Sequence, residues 1–444
     1  MASIVSLIAR PRAAVRGMYR GWGIVALAFY TQFFTVGSSG YVFGVLLSSM
    51  QRDLLLTQSN LQLPLYFNRF ISGALSLVLG PLIDRHGARA TMTVSAILAG
   101  CALLLVSRSH SWGTYWVAWA MFGVAQPGLG LLGPRVVIAN WFIKKRAKAF
   151  VIFTLGTSAA GVIAVPIATR IDVSFGWRNV WVILGCALIA AAPLTWWAIR
   201  RRPEDLGLRP DGDPPAEAAD AAAPTADGAS TADDADVQSR WTVRQALRTR
   251  TFWCMTGGFL LISLPSSSIF IFMSSFVQSH GWSRGQGALA VSLYALGSLS
   301  ARAIWGYFLS RVGMHRTMVV FALAYATAIV VFTLQTGLYQ LWVTAAILGV
   351  GISGSQLLNA QALPDYFGRR IVGSMTGFST LANVMLGGFG PQIAAITFDR
   401  VHSYVPAFLF FASACALAAL VFVFASPPVH PDDRAGRRPA LAGA

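Results

Sequence analysis

The sequence predicts an all-α membrane protein with twelve transmembrane helices arranged as two pseudo-symmetric six-helix bundles. Three observations lead there. Of 444 residues, 55% are hydrophobic and only 11% charged, whereas a soluble domain of ordinary composition carries about 25% charged residues. Apolar runs of roughly 18 residues or more, long enough to cross a bilayer as helix, recur along most of the chain. Finally, short basic loops repeat between the two halves at a nearly constant spacing.

The apolar runs place spans near 21–47, 58–82, 91–107, 113–138, 148–170 and 178–198 in the first half. The second half follows with 252–277, 285–308, 316–334, 339–362, 372–397 and 404–425. Residues 1–20 form a cytoplasmic arm: the apolar part of "MASIVSLIARPRAAVRG" is too short, and its arginines lie on the wrong side, for a cleaved leader. The bundles then cover 21–202 and 251–425, and 426–444 is a cytoplasmic tail. Between them, "PEDLGLRPDGDPPAEAADAAAPTADGASTADDADVQSR" (203–240) holds ten of the chain's 17 acids among Ala, Pro and Gly. Such a composition cannot bury enough apolar surface to order itself, so 203–250 reads as a largely disordered cytoplasmic linker.

The net charge of +17 would suit a nucleic-acid binder, but its distribution excludes that reading. With the N-terminus in the cytoplasm, 26 of the 34 basic residues fall on the cytoplasmic side and six outside. This is the positive-inside asymmetry of a multi-pass protein of the cell membrane with both termini cytoplasmic. The four cysteines all lie in apolar spans and imply no disulfide framework. No GxxxxGK[ST], zinc-ligand spacing or nucleophile-elbow pattern occurs. An ATP motor, a membrane enzyme and a bound cofactor or metal are therefore not expected.

The halves read as repeats. "GPLIDRHG" (80–87) follows the second span and "GYFLSRVG" (306–313) the eighth, with Gly, Arg and Gly matching at an offset of 226. "WFIKKR" (141–146) pairs with "YFGRRI" (366–371) at 225, and Asp172 with Asp399 at 227. Parallel repeats of this kind put a binding site between them near the membrane midplane.

"GPLIDRHGAR" resembles the loop between helices 2 and 3 of the major facilitator superfamily. That resemblance implies a latch at the cytoplasmic gate formed by Asp84 and Arg85, with Arg89 and the repeat's Arg311 beside it. "RGWGIVALAFYTQFFTVGSSGYVFGVL", "ANWFIKKRAKAF", "FGWRNVW", "ARAIWGYFLSRVG", "PDYFGRRIVGSMTGF" and "GGFGPQIAAITFD" extend the likeness toward the monocarboxylate-transporter-like branch that includes oxalate/formate antiporters. In that branch an arginine of helix 8, matching Arg302, binds the substrate carboxylate, and a tyrosine of helix 1, matching Tyr41, approaches it. The departures are specific. Ser298 stands where proton-linked members place an acid, helix 1 has no lysine, and Asn383 lies near the place of the antiporters' helix 11 lysine.

The charges inside the spans give an argument independent of the likeness. Arg302 lies eight residues before Ser310, hence roughly 12 Å from the cytoplasmic edge at 1.5 Å per residue. An arginine at that depth costs about 2.5–3.5 kcal/mol or more unless it faces a polar cavity. The repeat maps Arg302 onto Ser76, and Arg69 lies two turns from Ser76 on one face, nearer the outside. The alternatives are a carbonyl bond for Arg302 and, for Asn68 and Arg69, an outward-reaching or structural contact. Two guanidiniums without a buried acid suit an anion, and Arg matches a carboxylate bidentately. Gln126, Gln356, Asn359 and Asn383 are expected to orient the substrate, or else to glue helices together.

These readings converge on a secondary active transporter of small mono- or dicarboxylates that works as a monomer by alternating access. A co-transported proton or an exchanged anion would accompany the substrate, and the lipid bilayer is the only other partner. The rivals are a facilitator of a non-acid solute, such as a drug or amino-acid derivative, and a non-transporting sensor of the same fold.

Overall fold

The computed structural model describes residues 19–130, 132–143, 145–200, 203, 242–367, 379, 383 and 387–426. The side chains of residues 77, 81, 84–86, 147, 243, 302, 303, 360 and 364 lie outside that description. The first half consists of α1 (Arg20–Leu54), α2 (Gln58–His86), α3 (Ala88–Ser107), α4 (Trp112–Trp141), α5 (Lys148–Phe175) and α6 (Trp177–Ala198). The second half is α7 (Arg250–Ser279), α8 (Arg284–Val312), α9 (Met314–Leu334), α10 (Leu338–Phe367), α11 (Phe389–Val401) and α12 (Val405–Val423). Ten of these are long and apolar enough to cross a membrane. α2 is as long but carries Asn68 and Arg69, and half of the eleventh expected span (372–397) lies outside the described residues. The chain is a multi-pass, all-helical membrane protein.

Hydrophobic periodicity alone does not make the repeat visible; the helix ends do. Thr57 and Ser283, 226 positions apart, cap α2 and α8 by accepting the amides of Asn60 and Gln286. At the opposite ends of the same helices, Gly87 (φ 84°) and Gly313 (φ 83°) take a left-handed conformation that carries a penalty for any side chain. Each amide there closes the final turn onto Ile83 and Leu309. Near-identical backbone geometry at matched positions is what a duplicated unit produces.

The helices pack through small residues, as bundles in lipid do. A Cβ on Gly349 of α10 would lie 1.9 Å from the Tyr294 carbonyl oxygen of α8, and one on Gly297 2.0 Å from that of Ala346. The α8–α10 crossing therefore exists only because both positions are glycine. In the first half, Gly100 and Gly185 bring α3 onto α6 in the same manner.

Two helices depart from a regular α-helix at one place. α1 widens into a π-helical turn at Gly37–Val42 and α5 at Ala160–Ala164. The two turns touch: a Cβ on Gly37 would lie 3.1 Å from that of Ala160, and one on Gly161 3.0 Å from the Tyr41 ring. Such turns leave a backbone carbonyl without its usual partner and mark functional positions more often than chance.

The expected linker 203–250 lies almost wholly outside the described residues. Its last part differs from the expectation: Thr242 and Gln245 form a reciprocal cap on a one-turn helix, Val243–Leu247, leading into α7. The T-x-x-Q spacing that makes such a cap stands in the sequence.

Candidate functional site

The site is built on the inner faces of α2 and α8. Along α2 the exposed residues Phe67, Phe70, Ala74, Val78 and Leu82 form one stripe at helical spacing, the face turned to lipid. Arg69 lies about 200° around the helix from that stripe at 100° per residue. Its predecessor fixes the orientation. Asn68 is buried and donates through Nδ2 to the Trp119 carbonyl of α4 at 3.0 Å. α4 in turn presents Gly123 to the Asn68 backbone. The outward-reaching alternative is thereby excluded for Asn68, which makes the structural contact instead. Arg69 is half-buried and, among the described residues, has no hydrogen bond or ion pair. On the same face, toward the far end, Tyr66 packs against Phe389 of α11 with centroids 4.8 Å apart and the rings tilted by 39°.

Position 302 repeats this placement on α8. The exposed stripe there runs through Leu289, Leu296, Ser300, Ile304 and Arg311, and position 302 again lies about 200° around from it. The Arg302 side chain is outside the described residues, so its backbone position is what the fold fixes. On the same face, Ser298 Oγ lies 3.0 Å from Ser158 Oγ of α5, and Ser292 Oγ donates to the Gly161 carbonyl at 3.3 Å. The Ser298 carbonyl accepts from Ser353 of α10 at 2.6 Å. The Ser298 hydroxyl thus ties α8 to α5.

The first bundle contributes amides and hydroxyls. Gln32 of α1 donates through Nε2 to Thr157 Oγ1 of α5 at 2.9 Å, while its Oε1 is buried without a partner. Thr35, one turn on, is fully buried with an unpartnered Oγ1. Gln126 of α4 also buries an unpartnered Oε1. The Gln126 Cγ and Thr35 Cγ2 lie 3.8 and 3.9 Å from the Cβ position of Gly130, which brings α1 and α4 together there. Tyr41 closes this region on the side away from the linker. Its ring is 6% exposed and packs on Phe270 of α7, whose ring lies parallel to Tyr294 of α8.

The remaining expected residues divide. Gln356 is exposed on α10 although it faces away from the stripe of Tyr339, Val343 and Ile347, so it borders open space inside the molecule; half-buried Asn359 is beside it. Asn383 donates to the Ser379 carbonyl of its own helix at 2.8 Å. Arg89 bonds the Trp196 carbonyl at 2.6 Å and covers the Trp196 ring, both within the first bundle. Arg311 is exposed and sits over Tyr307 of its own helix. Among the described residues, neither has a partner in the other half. The side chains of Asp84 and Arg85 lie outside the described residues.

The halves meet at one end only. Among the described residues, every hydrogen bond between them lies between the Ser158–Ser298 level and the end remote from the linker. There Arg284 of α8 bonds Ser49 and buried Asp172 at 2.9 Å each, and Ser49 donates to Asp172 at 2.6 Å. Asp399, the repeat partner of Asp172, accepts the amides of Gln58 and Ser59 at 3.0 and 2.9 Å and so caps α2. The two acids thus perform one task in each half: each ties the end of one helix to the start of a helix in the opposite bundle. Sequence reading paired these acids by offset but missed their partners, which lie 112 and 341 positions away. Outside this closed layer an open depression of about 680 Å³ is lined by Ser48, Gln51, Arg52, Thr57, Gln278 and Arg284.

Comparisons with known proteins agree with this architecture. The model of the Major Facilitator Superfamily matches residues 28–289 and 255–442. The chain is 21% identical over 365 residues to the "Probable L-galactonate transporter" of Escherichia coli (strain K12), covering 79% of this chain and 78% of that one. It is 26% identical over 406 residues to the "Probable nitrate/nitrite transporter NarK2" of Mycobacterium tuberculosis (strain ATCC 25618 / H37Rv), covering 85% and 90%. A solved bacterial homolog of the human lysosomal transporter Spinster, inward-facing and unoccupied, superposes with a TM-score of 0.63 at 17% identity, covering 92% of this chain and 96% of that one.

Proposed function

The chain belongs to the Major Facilitator Superfamily, and we propose that within it this transporter carries small organic anions, mono- or dicarboxylates, by alternating access. One observation carries the reading: an arginine without a hydrogen-bond or ion-pair partner among the described residues stands on the face of α2 opposite its exposed stripe, and the repeat sets a second arginine on the matching face of α8. Arg302 anchors the carboxylate and Arg69 offers a second contact nearer the far end. A guanidinium fork bonds both carboxylate oxygens, and the low dielectric of a closed cavity strengthens that bond. Relatives named for galactonate and for nitrate and nitrite support an anionic substrate, and the quoted helix 1, 8 and 11 motifs support the monocarboxylate-like branch.

The linker end is taken as cytoplasmic from the basic loops, which makes the described conformation inward-facing. Ser49, Asp172, Arg284 and Asp399 then form the outer gate. Asp84, Arg85, Arg89 and Arg311 act at the inner gate, which closes in the opposite state. Ser298 in place of an acid leaves no carrier for a proton on α8, which favours exchange of one anion for another over proton symport.

Uptake of labelled lactate, pyruvate, formate, oxalate and longer dicarboxylates into proteoliposomes, with and without an imposed pH gradient, tests substrate and coupling together. In that assay Arg69→Ala is expected to raise the half-saturating concentration about 10-fold or more, the effect of losing a charged hydrogen bond of about 1.5–3 kcal/mol. Unchanged half-saturation would remove Arg69 from the site.

A further inference from the structure

We propose that the transported anion is a hydroxylated carboxylate, whose hydroxyl groups are read by Gln32, Thr35 and Gln126. The inference rests on the organic-anion reading and narrows it. Three polar side chains converge where α1, α4 and α5 meet, and each keeps an unpartnered buried oxygen: Gln32 Oε1, Thr35 Oγ1 and Gln126 Oε1. Gln32 is 7% exposed and Thr35 fully buried, so bulk water does not reach them. Unmet buried polar groups are rare in a folded protein because each forfeits its hydration without replacement. Three at one junction of the first bundle point to a ligand that supplies the missing partners.

The chemistry of the three selects the ligand. Two are amide oxygens, which accept hydrogen bonds and repel a carboxylate, so they do not bind the charged end. They need a donor on the substrate. An ammonium would donate, but it would enter a cavity that the two arginines already make positive and where no described acid stands nearby. A hydroxyl donates without charge and also accepts, as the Thr35 hydroxyl requires when it donates. Turning either amide over exchanges its ends but leaves one end unpaired, so the need for a polar, uncharged substrate group persists. The carboxylate then sits between Arg69 and Arg302, and the hydroxylated part of the molecule lies along α1 and α4.

The test is competition for uptake into proteoliposomes between acids of matched length with and without hydroxyls: propionate, lactate and glycerate, then hexanoate against a six-carbon aldonate, with alanine and serine as zwitterionic controls. Hydroxylated acids should compete better than their deoxy counterparts, from about 2-fold for one weak added hydrogen bond to about 100-fold for two strong ones. In Gln126→Leu and Thr35→Val that ratio should fall toward one, whatever happens to the absolute rate. Equal competition by deoxy acids overturns the hydroxyl assignment and leaves the organic-anion reading intact. Preference for alanine or serine overturns it in favour of a zwitterion, and failure of every carboxylate overturns both readings.

Discussion

Arg302→Ala is expected to abolish saturable carboxylate uptake, with a loss of roughly 30-fold to 5,000-fold in apparent affinity. The magnitude follows from the cost of truncating one member of a desolvated, hydrogen-bonded charge pair, about 2–5 kcal/mol. The substrate carboxylate would then enter a low-dielectric cavity facing Arg69 alone. Arg302→Lys is expected to recover only part of the loss, because an ammonium is a point charge and cannot match both carboxylate oxygens in one plane. Purified variants that keep the wild-type melting temperature but lose binding place the defect in the site. A full wild-type rate in Arg302→Ala would remove the residue from the mechanism.

The second large effect concerns the closed end. A Cβ on Gly44 of α1 would lie 2.1 Å from the Ile271 carbonyl oxygen of α7, in the opposite bundle. The obstacle is backbone, so no rotamer relieves it, and the halves can approach as they do here only with glycine at that position. Gly44→Val should therefore disfavour the conformation closed at the far end. Overpacking costs about 1–3 kcal/mol where neighbours can shift, which moves a two-state equilibrium roughly 5-fold to 150-fold toward opening. Spin labels at Leu55→Cys and Val401→Cys, with the four native cysteines replaced by serine, report the separation of the halves. The Gly44→Val protein should show a longer distance as its main population, with slower transport. An unchanged distribution would mean that α1 and α7 do not form the gate.

How much of this was legible in the sequence depended on the range of the interaction. Arg69 illustrates a short-range reading: the repeat offset from Arg302 and two turns of helix set its position, and on α2 that position lies off the exposed stripe. The twelve-span organisation was legible for the same reason, since hydropathy and loop charge are local properties. α1 was read as ending at 47, yet it continues to Leu54, because amphipathic residues such as Gln51 and Arg52 lie beyond the apolar run. The reciprocal caps Thr242–Gln245 and Ser283–Gln286 were written in the sequence as T-x-x-Q and S-x-x-Q and went unread.

The pairing of Asp172 with Arg284 was beyond reach, because it depends on which ends of the two bundles touch. So was the partner of Ser298. Its departure from an acid was visible, but its bond to Ser158 arises only from the α5–α8 crossing. The π-helical turns had a faint signal in the glycines Gly37 and Gly40, which permit many other conformations. Arg89 shows the reverse case: the loop pattern marked it for the gate, and in this conformation it bonds within its own bundle.

The central claim is that the two intramembrane arginines receive a carboxylate anion. Its most direct measurement is competition for uptake in wild-type proteoliposomes between carboxylates and their primary amides, which match in size and shape but lack the charge. The account predicts that carboxylates compete and are transported, while the amides fail to compete at 100 times the concentration, a contrast of about 2.7 kcal/mol or more. Amides that compete as well as the acids would contradict it.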